Sequence, residues 1–420
     1  MRLRYFVRPL ASTTLAGAAI GALACDDPTP PLTPPNNVDV VLADGVPSGG
    51  TWSIASTPNP SQYGNTLFGV SVLSTTNIWA VGARDTYYGT ESLIERSQGG
   101  AWSVVPSPNP GALNSCGYGN VLSAVSGRAA NDIWAVGFQH SCSLYKPFIA
   151  HYNGSAWGNV AIANPNPNGY TQLRGVHART TTDVWAVGTS EASNGAVIPY
   201  ILRWNGATWT RYTGARPGIN SSALWAVAGV SPTDAWAVGT YTDASNRSRT
   251  LIERWNGSTW TQVPSPSPGN YLFNVLTSVT AISANDVWAA GYYDSQTTGR
   301  ETITLHWNGS QWLRIPSPNA SSVYGSYNVL NGLVARASND VWAVGQFRNY
   351  PSTNQQWRSF TLRWNGSVWQ IVSSPSRPTA SGLNAIGGAP GLLVAVGASS
   401  PYGNDYNGIF QIPQTFAMRR

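Results

Sequence analysis

A seven-residue stretch, Asn131-Asp132-Ile133-Trp134-Ala135-Val136-Gly137, returns along the chain with small changes, ending at Gly82, Gly188, Gly239, Gly291 and Gly345. A weaker copy ends at Gly397. Its tryptophans, Trp79, Trp134, Trp185, Trp236, Trp288 and Trp342, stand 51 to 55 residues apart. A fixed period of that length means one supersecondary unit stacked on itself, because so short a unit cannot bury its apolar face alone. At 420 residues the chain could hold two or three ordinary domains, but the period replaces that division with a single array.

Each period reads as four short strands. The first is Leu-x-x-Val, at 67–70, 122–125, 173–176, 224–227 and 276–279, with Leu333 and Ile386 in place of the Val at 330–333 and 383–386. A short polar turn leads into the Trp-Ala-Val-Gly strand, whose Gly is read as the exit into a variable loop. A third strand, as at 250–255, runs into Asn256-Gly257, which predicts a two-residue type I′ hairpin turn, since Asn and Gly tolerate positive φ. The fourth strand opens on Trp52, Trp102, Trp157, Trp209, Trp260, Trp312 or Trp369. Four antiparallel strands per repeat of about 50 residues predict an all-β propeller, here seven-bladed. The chain starts with a lone fourth strand at 51–56 and ends on strands one to three, the last placed at 408–412. The N-terminal strand is therefore expected to complete the last blade, which removes both open edges.

Ahead of the repeats, Arg2, Arg4 and Arg8 precede the apolar run 15–24, and Ala22-Leu23-Ala24 supplies a small-x-small cleavage pattern before Cys25. This is similar to a bacterial lipoprotein leader, which implies Cys25 as the lipidated first residue; simple cleavage and secretion is the alternative. The divisions expected are a signal peptide at 1–24, a Pro-rich tether at 25–48, the propeller at 49–414 and a C-terminal tail at 415–420. The destination implied is a membrane-anchored lipoprotein on the outer membrane or cell surface, otherwise a periplasmic or secreted protein. No other run is long and apolar enough to span a membrane. Without the three leader arginines the chain carries 21 basic and 18 acidic residues, and no basic cluster, so nucleic acid is not an expected partner.

The Val-Trp-Ala-Val-Gly strand followed by Trp-Asn-Gly-x-x-Trp resembles kelch and galactose-oxidase-like propellers. It equally resembles the Asp-box repeats of sialidases and the photosystem assembly-factor propellers, to which Ser97-Gln98-Gly99-Gly100-Ala101-Trp102 is similar. Two details depart from these families. A single Gly stands where kelch repeats carry a pair, and Asn-Gly stands where an Asp-box has Asp-x-Gly. What the resemblance implies is architecture rather than an activity.

Seventeen of the 19 tryptophans keep the register and read as packing; Trp225 and Trp357 do not. The basic residue before each hairpin is also periodic. Asp183 with Arg203, Asp234 with Arg254 and Asp340 with Arg363 are expected intra-blade pairs, and His151 and His306 stand at the same place opposite Asp132 and Asp286. The alternative is that each Asp caps its own turn. His140 is placed in a variable loop. Cys116 and Cys142 form the one bridge available once Cys25 takes lipid. No catalytic, metal or cofactor motif appears.

Strand direction puts the two-to-three and four-to-one loops on one face, where sequence varies and function concentrates. Tyr118, His140, Tyr145, Tyr170, Tyr241, Tyr293, Tyr324 and Trp357 are the candidate ligand-binding residues there, set among Asn, Ser and Gly. Tyrosine among small polar groups suits a contact surface. The expected function is a monomeric, non-enzymatic module for a carbohydrate or protein partner. The alternatives are a sialidase-like glycan hydrolase or lyase, with Asp85, Glu91, Glu191, Asp243 and Asp294 as candidate acids, a galactose-oxidase-like oxidase, or a purely structural propeller.

Overall fold

The computed structural model describes residues 50–111, 118–141, 144–218, 221–269, 272–296, 298–349, 356–376, 380–400 and 413–420. Every regular element among them is a β-strand. The strands form antiparallel four-stranded units, and the third unit shows the pattern: Thr171–Thr180, Asp183–Glu191, Val197–Trp204 and Trp209–Tyr212 pair in chain order. The first strands of successive units are Asn65–Ser74, Tyr118–Ala129, Thr171–Thr180, Ser222–Ser231, Asn274–Ser283, Ser326–Ala337 and Ala380–Ala389. Each packs on the next, and the last packs on the first. They line the axis of a β-propeller.

Neighbouring first strands are also tied by polar side chains. Gly127 N–H donates to Ser71 Oγ (2.9 Å), Ala178 N–H to Ser126 Oγ (3.0 Å) and Leu333 N–H to Ser278 Oγ (3.0 Å). Asn331 Nδ2 donates to the Leu383 carbonyl and Asn384 Nδ2 to the Leu67 carbonyl, both at 2.8 Å. That last bond joins residues 317 positions apart in sequence, across the junction of the first and last units.

The closure at the termini corrects the expected boundaries. Gln414–Arg419 is a strand, not a tail, and pairs with Leu392–Ser400 on one side and Ser53–Ala55 on the other. Phe416, Ala417 and Met418 are fully buried there. Residues 408–412 looked like the strand because they are apolar and stop at a proline; they lie outside the described residues. Pro413 opens the strand instead of ending it, its carbonyl accepting from Asn65 N–H at 2.7 Å.

Two details of the repeat also differ from expectation. The strand carrying Gly239 runs on to Thr242, so the glycine is not an exit. A Cβ on Gly239 would lie 1.9 Å from the Ala223 carbonyl oxygen, beside a bulge between Leu224 and Ala226. Glycine is needed here because another backbone comes too close for any side chain. The Asn-Gly hairpins are four-residue loops: Trp255 pairs with Trp260, leaving 256–259 between them. Asn256 Oδ1 accepts the N–H groups of Ser258 and Thr259, both at 2.9 Å, and Gly257 alone takes the positive φ, 99°. The Asn side chain closes a wider loop than a type I′ turn would make. A two-residue turn occurs where Asn is missing, at Gly99 (φ 63°) and Gly100 (φ 101°) between Gln98 and Ala101.

The tryptophans hold unit to unit. Trp185 meets Trp255 (5.3 Å) and Trp260 (5.0 Å) of the following unit, and Trp236 meets Trp307 (4.9 Å) and Trp312 (5.3 Å). Trp342 meets Trp52 at 5.9 Å, so the N-terminal strand supplies the ring that the last unit lacks. Such edge-on and tilted aromatic pairs contribute about 0.5–1.5 kcal/mol each beyond area burial.

Candidate functional site on the loop face

At the end of each unit opposite the variable loops, polar groups hold the frame. Arg203 Nε donates to Asp183 Oδ1 (2.8 Å), Arg254 Nε to Asp234 Oδ1 (2.8 Å) and Arg363 Nε to Asp340 Oδ1 (2.9 Å). His151 and His306 stand 2.8 Å from Asp132 and Asp286. The carboxylates of Asp132, Asp286 and Asp340 also accept indole N–H bonds from Trp134, Trp288 and Trp342. Arg203 also lies over both Trp185 (4.8 Å) and Trp255 (5.8 Å), bridging two units. Asp183 and Asp340 take a second arginine each, Arg179 and Arg336. For Asp340, hydrogen bonds from Arg336 and Arg363 outweigh burial and lower the carboxyl pKa. These groups are consumed by each other, which leaves them to position turns rather than to react.

On the loop face, a polar clamp absent from the expectations organises the long loops. Asn65, Asn120, Asn274 and Asn328 stand two residues before the strand-one Leu and are buried. Their side-chain oxygens accept N–H bonds from Ser61 (3.0 Å), Gly111 (3.0 Å), Gly269 (2.8 Å) and Ser321 (3.0 Å) of the incoming loop. Extending the strand-one register by two residues would have revealed them.

The candidate aromatics divide. His140, Tyr145 and Tyr170 come together, with ring centroids 5.7 Å apart for His140–Tyr145 and 5.5 Å for Tyr145–Tyr170. Phe138 lies 5.6 Å from Tyr145. Arg174 sits over both Phe138 (5.5 Å) and Trp225 (5.0 Å), and its guanidinium donates to Gln172 Oε1. Burial lowers the Arg174 pKa, and Tyr170 and Tyr145 oppose that. His140 is in the strand Asp132–Ser141, not in a loop, and is buried. It fits because its cross-strand partner is Gly119, where a Cβ would fall 2.3 Å from the ring. Burial lowers its pKa, which favours the neutral form of the ring.

Tyr241 and Tyr293 belong to the body of the propeller. Tyr293 is buried among Trp236, Trp307 and Trp312, its hydroxyl donating to Glu301 and accepting from Arg314 (2.9 Å). Burial and the Glu301 bond push its pKa up to about 12. Tyr241 packs against the cluster containing Trp185 and Trp260. Strand two continues past its glycine, which places both residues in the strand and not in the loop. Tyr324 is 71% exposed. Trp357 meets Tyr327 at 6.2 Å, with Arg348 over both rings. The side chain of Tyr118, and Cys25, Cys116 and Cys142, lie outside the described residues; the backbone of Tyr118 pairs with Ser141.

Four of the five candidate loop acids are held within their own units. Glu91 pairs with Arg84 (2.7 Å), Asp243 with Arg249 (2.8 Å) and Asp294 with Arg300 (2.8 Å), while Asp85 accepts from Thr90 (3.0 Å). Among the described residues no three His, Cys, Asp or Glu side chains gather as a metal site would need. No helix among them is long and apolar enough to cross a membrane.

No protein-family model matches this sequence, and no curated protein matches it. Solved structures do. The structure described as YCF48 bound to D1 peptide aligns with a TM-score of 0.51 at 13% identity, covering 88% of this chain and 96% of that one. That described as YjhT gives 0.42 at 11% identity, with 69% and 96% covered. A protein of unknown function from Dyadobacter fermentans gives 0.46 at 13%, with 70% and 93% covered. At such identity the likeness to the first shows the propeller fold alone, and the two lower scores carry no further argument.

Proposed function

We propose that this chain is a seven-bladed propeller acting as a non-catalytic binding module, exported and held at a membrane through lipid on Cys25. Its variable-loop face takes a protein or carbohydrate partner. The observation that carries this reading is the gathering of Phe138, Tyr145, Tyr170, Arg174 and Trp225, contributed by three successive units. Aromatic faces around one half-buried guanidinium make a contact surface of the kind that dominates binding energy at interfaces. A propeller of the same fold, YCF48, is described with a bound peptide, which supports a protein partner in general. Closure of the first-strand ring supports seven blades. The pairing of Tyr118 with Ser141 supports a Cys116–Cys142 bridge, since those cysteines lie two and one positions away. Pairing of Glu91, Asp243 and Asp294 each with an arginine of its own unit favours binding over glycan hydrolysis, which needs two carboxyl groups about 5–10 Å apart across one bond.

The test is binding of the purified chain to glycan and peptide arrays, compared with the triple variant Tyr145→Ala, Tyr170→Ala, Arg174→Ala. The expected result is a specific signal reduced at least about ten-fold in the variant, equivalent to losing about 1.4 kcal/mol, with the circular dichroism spectrum unchanged. Full-strength binding of peptide hits by the variant, or no signal from the parent on either array, overturns the reading.

A further inference from the structure

At the first unit, away from the Tyr145–Arg174 cluster, the loop face carries a cleft of about 430 Å³ bordered by Gln62, Tyr63, Arg84 and Glu91. Sites for small ligands run from about 300 to 1,000 Å³, so the cleft has room for a short ligand. Three neighbouring tyrosines extend its edge: Tyr63 and Tyr87 have ring centroids 6.3 Å apart, and Tyr87 and Tyr88 4.9 Å. They are 41%, 75% and 69% exposed. Large aromatic groups left in water side by side mark a contact site more often than an isolated one does.

We propose that this cleft binds a neutral oligosaccharide; the inference rests on the binding-module reading and names the ligand class at one part of the same face. Charge decides against an anion. Among the described residues the one cation lining the cleft, Arg84, is neutralised by Glu91, whose Oε2 accepts from both Nε (3.0 Å) and Nη2 (2.7 Å). The lining decides against a large aliphatic peptide anchor, because it holds no Leu, Ile, Val or Met: Pro60 and Tyr63 are its apolar members, beside Ser61, Gln62, Arg84, Thr86 and Glu91. A pyranose ring matches both features. Its C–H face is apolar and stacks on an exposed tyrosine, while its hydroxyls both donate and accept. Arg84 supplies donors, Glu91 acceptors, and the Gln62 amide one of each kind.

The cleft is also built rigidly, which lowers the ordering cost of binding. Ser61 is held by Asn65 through Ser61 N–H to Oδ1 (3.0 Å) and Nδ2 to the Ser61 carbonyl (2.6 Å). The Ser61 hydroxyl donates to the Asp85 carbonyl and accepts from Tyr63 N–H (3.0 Å). Asp85 N–H donates to the Gly64 carbonyl at 2.8 Å, tying the two loops together.

The experiment is titration of the purified full chain with an array of neutral and acidic oligosaccharides, followed by saturation-transfer NMR on the hits. The variants are Tyr63→Ala with Tyr87→Ala, and separately Glu91→Gln. The expected result is a neutral oligosaccharide bound by the parent, weakened at least ten-fold by the tyrosine pair and several-fold by Glu91→Gln, with transfer strongest to ring C–H protons. Binding of acidic glycans only, or a neutral hit unaffected by the tyrosine pair, overturns the assignment. If the parent binds peptides through the Tyr145–Arg174 cluster but no oligosaccharide, this proposal falls and the binding-module reading stands. If it binds neither, both fall.

Discussion

Trp185→Ala is expected to destabilise the propeller by about 3–5 kcal/mol, the usual loss for deleting a buried Trp side chain. The ring is fully buried. It lies between the units, with Trp255, Trp260 and Tyr212 within 5.0–5.5 Å and the Arg203 guanidinium 4.8 Å above its centroid. Removing it therefore leaves a cavity at a junction and uncovers the cation that bridges the junction. Neighbouring units depend on each other for burial in such an array, so the loss is transmitted beyond one blade. Trp185→Phe makes a sharper comparison. The indole N–H of Trp185 has no hydrogen-bond partner, whereas that of Trp134 donates to Asp132. The phenylalanine variant is expected to cost clearly less at 185 than at 134, where it also strips a bond from a buried carboxylate. Chemical denaturation of Trp185→Ala, Trp185→Phe and Trp134→Phe beside the parent checks this; equal costs for the two phenylalanine variants would show that the Asp–indole bond adds nothing.

The second large effect concerns Glu95. Its side chain is fully buried, and neither carboxyl oxygen has a hydrogen-bond partner. Ala150, Leu202, Leu305 and Leu362 occupy the same strand-three position, just before the basic residue, in other units. Burial raises the Glu95 pKa from 4.5 to about 8, and that of Glu253 to about 7, where one bond from Ala215 N–H partly opposes burial. The unfolded chain ionises these groups near 4.5, whereas the folded chain keeps them protonated to higher pH. Below that unfolded value neither group penalises the fold. Between there and about pH 8 folding requires proton uptake, so stability falls as pH rises and levels off above the folded pKa. For Glu95 the loss is of the order of a few kcal/mol, because each ten-fold difference in proton affinity between the two states is worth about 1.4 kcal/mol. Glu95→Gln removes its share of that dependence. Denaturation midpoints measured from about pH 5 to 9 are expected to fall steeply for the parent and less for the variant. Parallel curves would mean that Glu95 is ionised in the fold.

The repeat made the architecture legible, because six aligned tryptophans and an alternating strand pattern specify packing in every copy at once. The termini were harder. Phe416 and Met418 fill the last unit, but Gln414–Arg419 lacks the Trp-Asn-Gly signature that four other third strands carry. The face was legible only in part. Tyr145 and Tyr170 do lie close together, but Tyr293 is core and Tyr241 packs against the core, because strand two outruns its glycine by three or four residues. Arg174 and Trp225 were hidden as face residues for a related reason. Each follows the strand-one Leu at a bulge, and a bulge shifts the two-residue alternation that otherwise tells which side a residue faces. A linear pattern does not encode that shift. The Asn clamps were visible in register but sit in what reads as loop.

The division of labour between frame and face is tested most directly by amide hydrogen exchange, with and without the strongest array hit. Binding is expected to slow exchange in the loop-face segments 61–64, 86–91, 144–145 and 169–174, and to leave the opposite hairpins 153–156, 205–208, 256–259, 308–311 and 365–368 unchanged. Protection confined to those hairpins would place the binding surface among the Asp–Arg and Asn-Gly turns and contradict the account.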